Sequence, residues 1–191
     1  MSVLSVLTGA DAQFTVTQIQ RLLHGQGSLP GIRKALAPLV AQGLVDEFFL
    51  GKTGAYSLNR DHLLAEPLLQ MADAKARLFS KIRALVDSWP IEPTVAMLFG
   101  SGARGDMHLE SDIDILLIFT DAADQDSIDQ AVYALSQKVS RWTGNDVRPL
   151  LYRESDVSPA PIFSSILSEG ITLTGDSNWL RRALCQHLVT L

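Results

Sequence analysis

The stretch LFGSGARGDMHLESDIDILLIF, Leu98 to Phe119, decides how this chain is read. Val95 to Phe99 is a continuous apolar run, the pattern of a buried strand, and it runs into a glycine turn at Gly100, Ser101 and Gly102. Lacking a Cβ, Gly100 and Gly102 let a ligand approach the backbone, and a turn leading into a helix N-terminus can aim its amides at phosphate oxygens. Ser101 adds a hydroxyl donor. Asp112 to Phe119 reads as a second strand, whose alternation puts Asp112 and Asp114 on one face with Cα atoms ~7 Å apart. Two carboxylates at that distance can flank Mg2+ ions lying ~3.5 to 4 Å apart, an arrangement that activates an attacking hydroxyl and neutralises a pyrophosphate leaving group. Unpaired carboxylates beside an apolar run are costly, so the pair calls for a cation or for hydrogen-bond donors. The plainer alternative is an ordinary turn followed by a strand that starts near solvent.

Working outward, Ile128, Ala131, Val132, Leu135, Val139 and Trp142 recur at helical spacing, with Asp126 or Ser127 as the start and Gly144 as the stop. Asp146 to Tyr152 reads as a third strand. A helix around Phe163 to Leu167, a short strand Ile171 to Leu173 and a last helix from Asn178 come after it. Upstream, Pro67 opens a long helix to Trp89, closed by Pro90. Before it the spacing predicts short helices over Val3 to Leu7, Thr15 to His24 and Gly31 to Gln42, the last two separated by Gly25, Gly27 and Pro30. Leu44 to Leu50 and Ala55 to Leu58 then form a hairpin around Gly51-Lys52-Thr53-Gly54. The class is α+β, with a domain over 1–62, a linking helix over 63–90 and a second domain over 91–191.

The pattern Gly-Ser, ten residues, then Asp-x-Asp between apolar strands resembles the polymerase-beta-type nucleotidyltransferase superfamily, and the GSGARGD form is similar to its minimal nucleotidyltransferases. The resemblance covers roughly Ser88 to Gly175 and implies a small mixed sheet flanked by helices. It implies that Gly100, Ser101 and Gly102 hold the triphosphate of an incoming nucleotide, and that Asp112 and Asp114 bind Mg2+ or Mn2+. Arg104 would pair with a phosphate or brace Asp106. The superfamily usually supplies a third carboxylate from the next strand, to position and deprotonate the attacking hydroxyl. At that place this chain reads Asn145-Asp146-Val147-Arg148-Pro149-Leu150. Either Asp146 substitutes after a register shift, or the site has lost its base and Arg148 holds a nucleotide phosphate without turnover.

The first domain resembles the winged helix-turn-helix fold over roughly Met1 to Asn59, on Thr15-Val16-Thr17-Gln18-Ile19, Leu39 to Val45 and a wing ending Tyr56-Ser57-Leu58-Asn59. That resemblance implies DNA binding through Ser28, Arg33 and Lys34, with Lys52 of the wing near the backbone. The alternative is a small helical domain with a solvated basic face that binds protein or forms a dimer. Residues 1–60 hold five basic side chains against three acidic, a net +2, within a chain whose net charge is −5. The first part therefore suits a polyanion and the acidic remainder suits cations.

Three functions fit these residues. One is Mg2+-dependent transfer of a nucleoside monophosphate from an NTP to an acceptor hydroxyl, guided by a DNA-binding domain, with Asp112, Asp114 and Asp146 as the catalytic carboxylates. The second is a DNA-binding transcriptional regulator that binds nucleotide or a partner without catalysis. The third is an antitoxin-like subunit paired with a toxin. A homodimer would suit two DNA half-sites. No apolar run reaches the ~18 to 20 residues of a membrane span, and the N-terminus lacks a basic signal region, so a cytoplasmic protein is expected. Cys185, the single cysteine, excludes an intramolecular disulfide. His108 reads as a loop residue, and His24, His62 and His187 show no zinc-ligand spacing.

Overall fold

Ser2, Thr15 and Ser28 each start a helix by accepting a backbone N–H with a side-chain oxygen, from Ser5 at 3.3 Å, Gln18 at 3.3 Å and Gly31 at 3.2 Å. These are α1 (Val3–Thr8), α2 (Val16–Leu22) and α3 (Leu29–Ala41) of the computed structural model, which describes residues 2–51, 53–104 and 111–189. Pro30 does not separate two helices as its spacing suggested. It sits in the first turn of α3, where its missing N–H had no intrahelical partner to lose. Val6, Leu7, Val16, Ile19, Leu23, Ile32 and Leu36 gather into one core with Leu44, Val45 and Leu58.

Gly43, with φ +74, ends α3 in the left-handed conformation that suits a glycine just past a helix. The hairpin comes next as β2 (Val45–Leu50) and β3 (Thr53–Leu58), and a two-residue strand β1 (Phe14–Thr15) pairs with β3 to give the order β1-β3-β2. The expected long helix is interrupted. α4 (Ala65–Ala72) and α5 (Ala74–Asp87) are divided at Asp73, whose ψ of 3° leaves the helical value, although the Arg77 N–H still reaches the Asp73 carbonyl at 3.0 Å. The chain divides inside α5 into two units, Met1–Arg77 and Leu78–Leu191.

The second unit runs β4 (Val95–Phe99), α6 (Gly100–Arg104), β5 (Ile113–Phe119), α7 (Gln125–Thr143), β6 (Val147–Arg153), a 3-10 turn at Glu154–Asp156, α8 (Pro161–Glu169), β7 (Ile171–Gly175) and α9 (Trp179–Val189). Its sheet has the order β6-β5-β4-β7, with β5 and β6 parallel and the other pairs antiparallel. Parallel neighbours need a crossover, and α7 supplies it. Its ends are set by Asp124, which accepts from the Ser127 N–H at 2.9 Å, and by Gly144 at φ +76. The Ser127 hydroxyl and amide hold the Asp124 carboxyl below its usual pKa.

The apolar run of β5 is covered on both sides, which is why it lacks a polar alternation. Ile113, Ile115, Leu117 and Phe119 pack with Ile82, Val86 and Trp89 of the α5 region and with Ile128, Val132, Leu135 and Val139 of α7. Leu116 and Ile118 face the other way, with Val95, Met97, Phe163, Ile166 and Leu180. By the same alternation Asp112 and Asp114 belong to the face of Leu116 and Ile118. In β7 the register skips at Leu173, and Arg83 of α5 donates to the carbonyls of Leu173 and Thr172 at this bulge. Among the described residues no helix is long and apolar enough to cross a membrane.

Candidate functional site

β4 and β5 pair with Phe99 opposite Asp114, so the residue after Phe99 turns beside that carboxylate. That residue is Gly100, at φ +68. A Cβ built on it would collide with Asp114 Oδ2 and lie 3.3 Å from Asp114 Cγ. The carboxylate is therefore directed at the glycine bend, and only a residue without a side chain fits both the backbone angle and the contact. Gly102, two residues further, is buried against the Leu98 side chain, while Ser101 is half-buried at the start of α6.

β6 completes this end of the sheet. It runs parallel to β5 with Arg148 opposite Asp114, which puts Arg148 on the same face as the two aspartates. The Arg148 guanidinium reaches diagonally to Asp112, with Nη1 2.8 Å from Oδ2. Asp146 lies just before the strand, exposed, and its backbone carbonyl accepts from the Ile113 N–H at 2.8 Å. The strand register thus sets Arg148, not Asp146, against Asp114. Residues 80–178, slightly more than half of the chain, match the family described as Polymerase beta, Nucleotidyltransferase. The chain belongs to that family.

Within this nucleotidyltransferase unit, the structure brings together Gly100, Asp112, Asp114 and Arg148 at one end of the sheet. Among the described residues no group of three or more His, Cys, Asp or Glu side chains is gathered as a metal cage. The fit to Mg2+ is that of an ion which keeps waters and takes one or two carboxylates plus substrate phosphates. The Asp112 and Asp114 side chains, both half-buried on one strand face, meet that requirement, although Asp112 already carries a guanidinium.

Arg104 ends α6, and Asp106 and His108 lie outside the described residues. Ser28, Arg33 and Lys34 are exposed in the first unit, and Lys52 lies outside the described residues. Cys185 is exposed on α9.

Sequence reasoning missed Asn145, a polar side chain buried to 9% exposure. Its Nδ2 donates to the Ser111 carbonyl at 2.8 Å and its own N–H reaches Thr143 Oγ1 at 3.2 Å, tying the segment before β6 to the residue preceding Asp112. A polar residue directly after the helix-ending Gly144 was the available signal. Asn145→Ala leaves the Ser111 carbonyl without this donor in a partly buried setting, and a loss of about 1 to 3 kcal/mol is expected. Urea unfolding checks it; a change within error would mean that water replaces the amide.

No curated protein matches the chain. Similar solved structures include a toxin-antitoxin with AMP-PNP (23% identity, covering 59% of this chain and 85% of the other, TM-score 0.44). A tri-AMPylated Shewanella oneidensis HEPN toxin in complex with MNT antitoxin is also similar (21%, 61% and 85%, TM-score 0.40), as is a toxin-antitoxin MntA-HepT (22%, 60% and 85%, TM-score 0.39).

Proposed function

We propose that the second unit transfers a nucleoside monophosphate from an NTP to an acceptor hydroxyl, and that the first unit is a winged-helix domain that brings it to DNA. The observation that carries the transferase reading is the Asp114 carboxylate facing the Gly100 bend, with Asp112 two residues earlier on the same face, in a chain of this family. Gly100, Ser101 and Gly102 would hold phosphate oxygens through backbone amides and a hydroxyl, and Arg104 would add charge. Asp112 and Asp114 would hold Mg2+ or Mn2+. When bound, the metal supplies charge neutralisation on the phosphates and lowers the pKa of the acceptor hydroxyl. Asp146, exposed at the rim, is the carboxylate in this reading that takes the hydroxyl proton. The acceptor oxygen then bonds the α-phosphorus, and pyrophosphate leaves.

For the first unit, Ile32 and Leu36 are buried while Arg33 and Lys34 face solvent on α3, whose N-terminus Ser28 caps. That is the disposition of a helix with its basic face free for phosphates or base edges. The Tyr56 hydroxyl of β3 donates to Glu47 Oε1 at 2.7 Å, and this bond raises its pKa while the Arg33 charge opposes the shift.

The Arg148–Asp112 ion pair favours a second reading, a DNA-binding regulator whose nucleotidyltransferase unit senses a nucleotide without turnover. Incubating the full chain with α-32P-labelled NTPs, Mg2+, and nucleic acid or protein acceptors separates the two. Transfer predicts labelled acceptor and released pyrophosphate. Nucleotide-dependent retention of DNA with no labelled product overturns transfer in favour of the regulator.

A further inference from the structure

Arg148 is placed where it interferes with one carboxylate of the pair. Its side chain is 69% exposed, whereas that of Asp112 is 26% exposed. An ion pair so open to solvent adds little to stability. Its effect on a cation approaching Asp112 is larger in consequence, because a positive guanidinium sits at hydrogen-bond distance on the same carboxylate. We propose that Arg148 is a resident cation for Asp112, holding that carboxylate when no divalent metal is bound, so that metal entry competes with it. This deepens the nucleotide-site reading and rests on it.

Two features make the competition specific. The register puts Arg148 opposite Asp114, so a guanidinium released from Asp112 remains on the strand face that bears both carboxylates. There it can donate to phosphate oxygens in a planar, two-pronged fashion. Arg148 thus holds Asp112 in the empty site and a nucleotide phosphate in the filled one. A neighbouring strand supplies this charge from its own backbone position, opposite Asp114.

Mn2+ binding followed by electron paramagnetic resonance, on the full chain without nucleotide, tests the competition. Arg148→Gln is expected to bind Mn2+ roughly tenfold more tightly than the wild type, a change in the range that neighbouring groups impose on metal sites. Arg148→Lys, which keeps the charge, is expected to stay near the wild type. Arg148→Met gives the same reading as glutamine should the amide disturb the strand. Equal Mn2+ affinity in all variants, or weaker binding in the neutral ones, overturns the proposal. Titration of ATP in saturating Mn2+, where Asp112 holds the ion and Arg148 is released, reads the second role; affinity is expected to be lower in Arg148→Gln than in the wild type, and equal affinity overturns that role. Absence of ATP binding by every variant, with the Mn2+ order intact, would sink the nucleotide reading and leave the competition at Asp112 standing.

Discussion

Replacing Asp112 and Asp114 together by alanine is expected to remove the Mg2+-dependent part of ATP affinity, weakening it by roughly a hundredfold or more in isothermal titration. The reason is geometric. Both carboxylates stand on the strand face of Leu116 and Ile118, and one of them points at Gly100, so a phosphate-bound ion at this bend would meet them first. The double replacement does not empty the core, since Ile113 and the run Ile115 to Phe119 supply the burial of β5. Folding should therefore survive, and the loss is a binding loss. It also frees Arg148 from Asp112, so ATP binding in EDTA is expected to persist. Unchanged affinity in Mg2+ would end the assignment of these two residues as metal ligands.

Gly100→Ala is expected to destabilise the second unit by about 2 to 5 kcal/mol, adding ~1 to 2 for a side chain at positive φ to ~1 to 3 for overpacking. The two parts can be separated within the same unit. Gly144 has φ +76 with nothing within 4 Å of a built Cβ, so Gly144→Ala carries the backbone part alone. Gly100→Ala carries in addition the collision with Asp114, and it should also weaken ATP binding by pushing that carboxylate off the bend. Thermal unfolding of both variants decides the matter. An equal fall in Tm would mean that Asp114 gives way freely and is not held against Gly100.

Much of the candidate site was legible in the sequence, because it lies in one segment. Strand alternation alone placed Asp112 with Asp114, and Gly100 stood next to an apolar run whose partner strand began about ten residues later. The position of Arg148 was harder, since it depends on the register between β5 and β6, and the intervening α7 fixes that register through packing rather than through local spacing. The same limit hid Asn145, whose importance is a long-range bond to Ser111. In the first unit the glycine at 43 marked a helix end by local chemistry, whereas the caps at Ser2 and Thr15 show only in the structure. The two-residue strand Phe14–Thr15 had no such mark, because it exists only through pairing with Tyr56 and Ala55. The interruption at Asp73 was equally silent, for the apolar stripe runs through it without a proline or glycine.

The outer strands of the four-stranded sheet bear on what this protein does in a crowd. A sheet with bare margins recruits further chains and grows into aggregates. β6 carries Pro149, which offers no N–H to an incoming strand, and β7 is bulged at Leu173 with carbonyls occupied by Arg83. Both margins are thereby closed to strand-by-strand recruitment, so self-association of this unit, where it occurs, should proceed through side-chain surfaces and leave the sheet four strands wide.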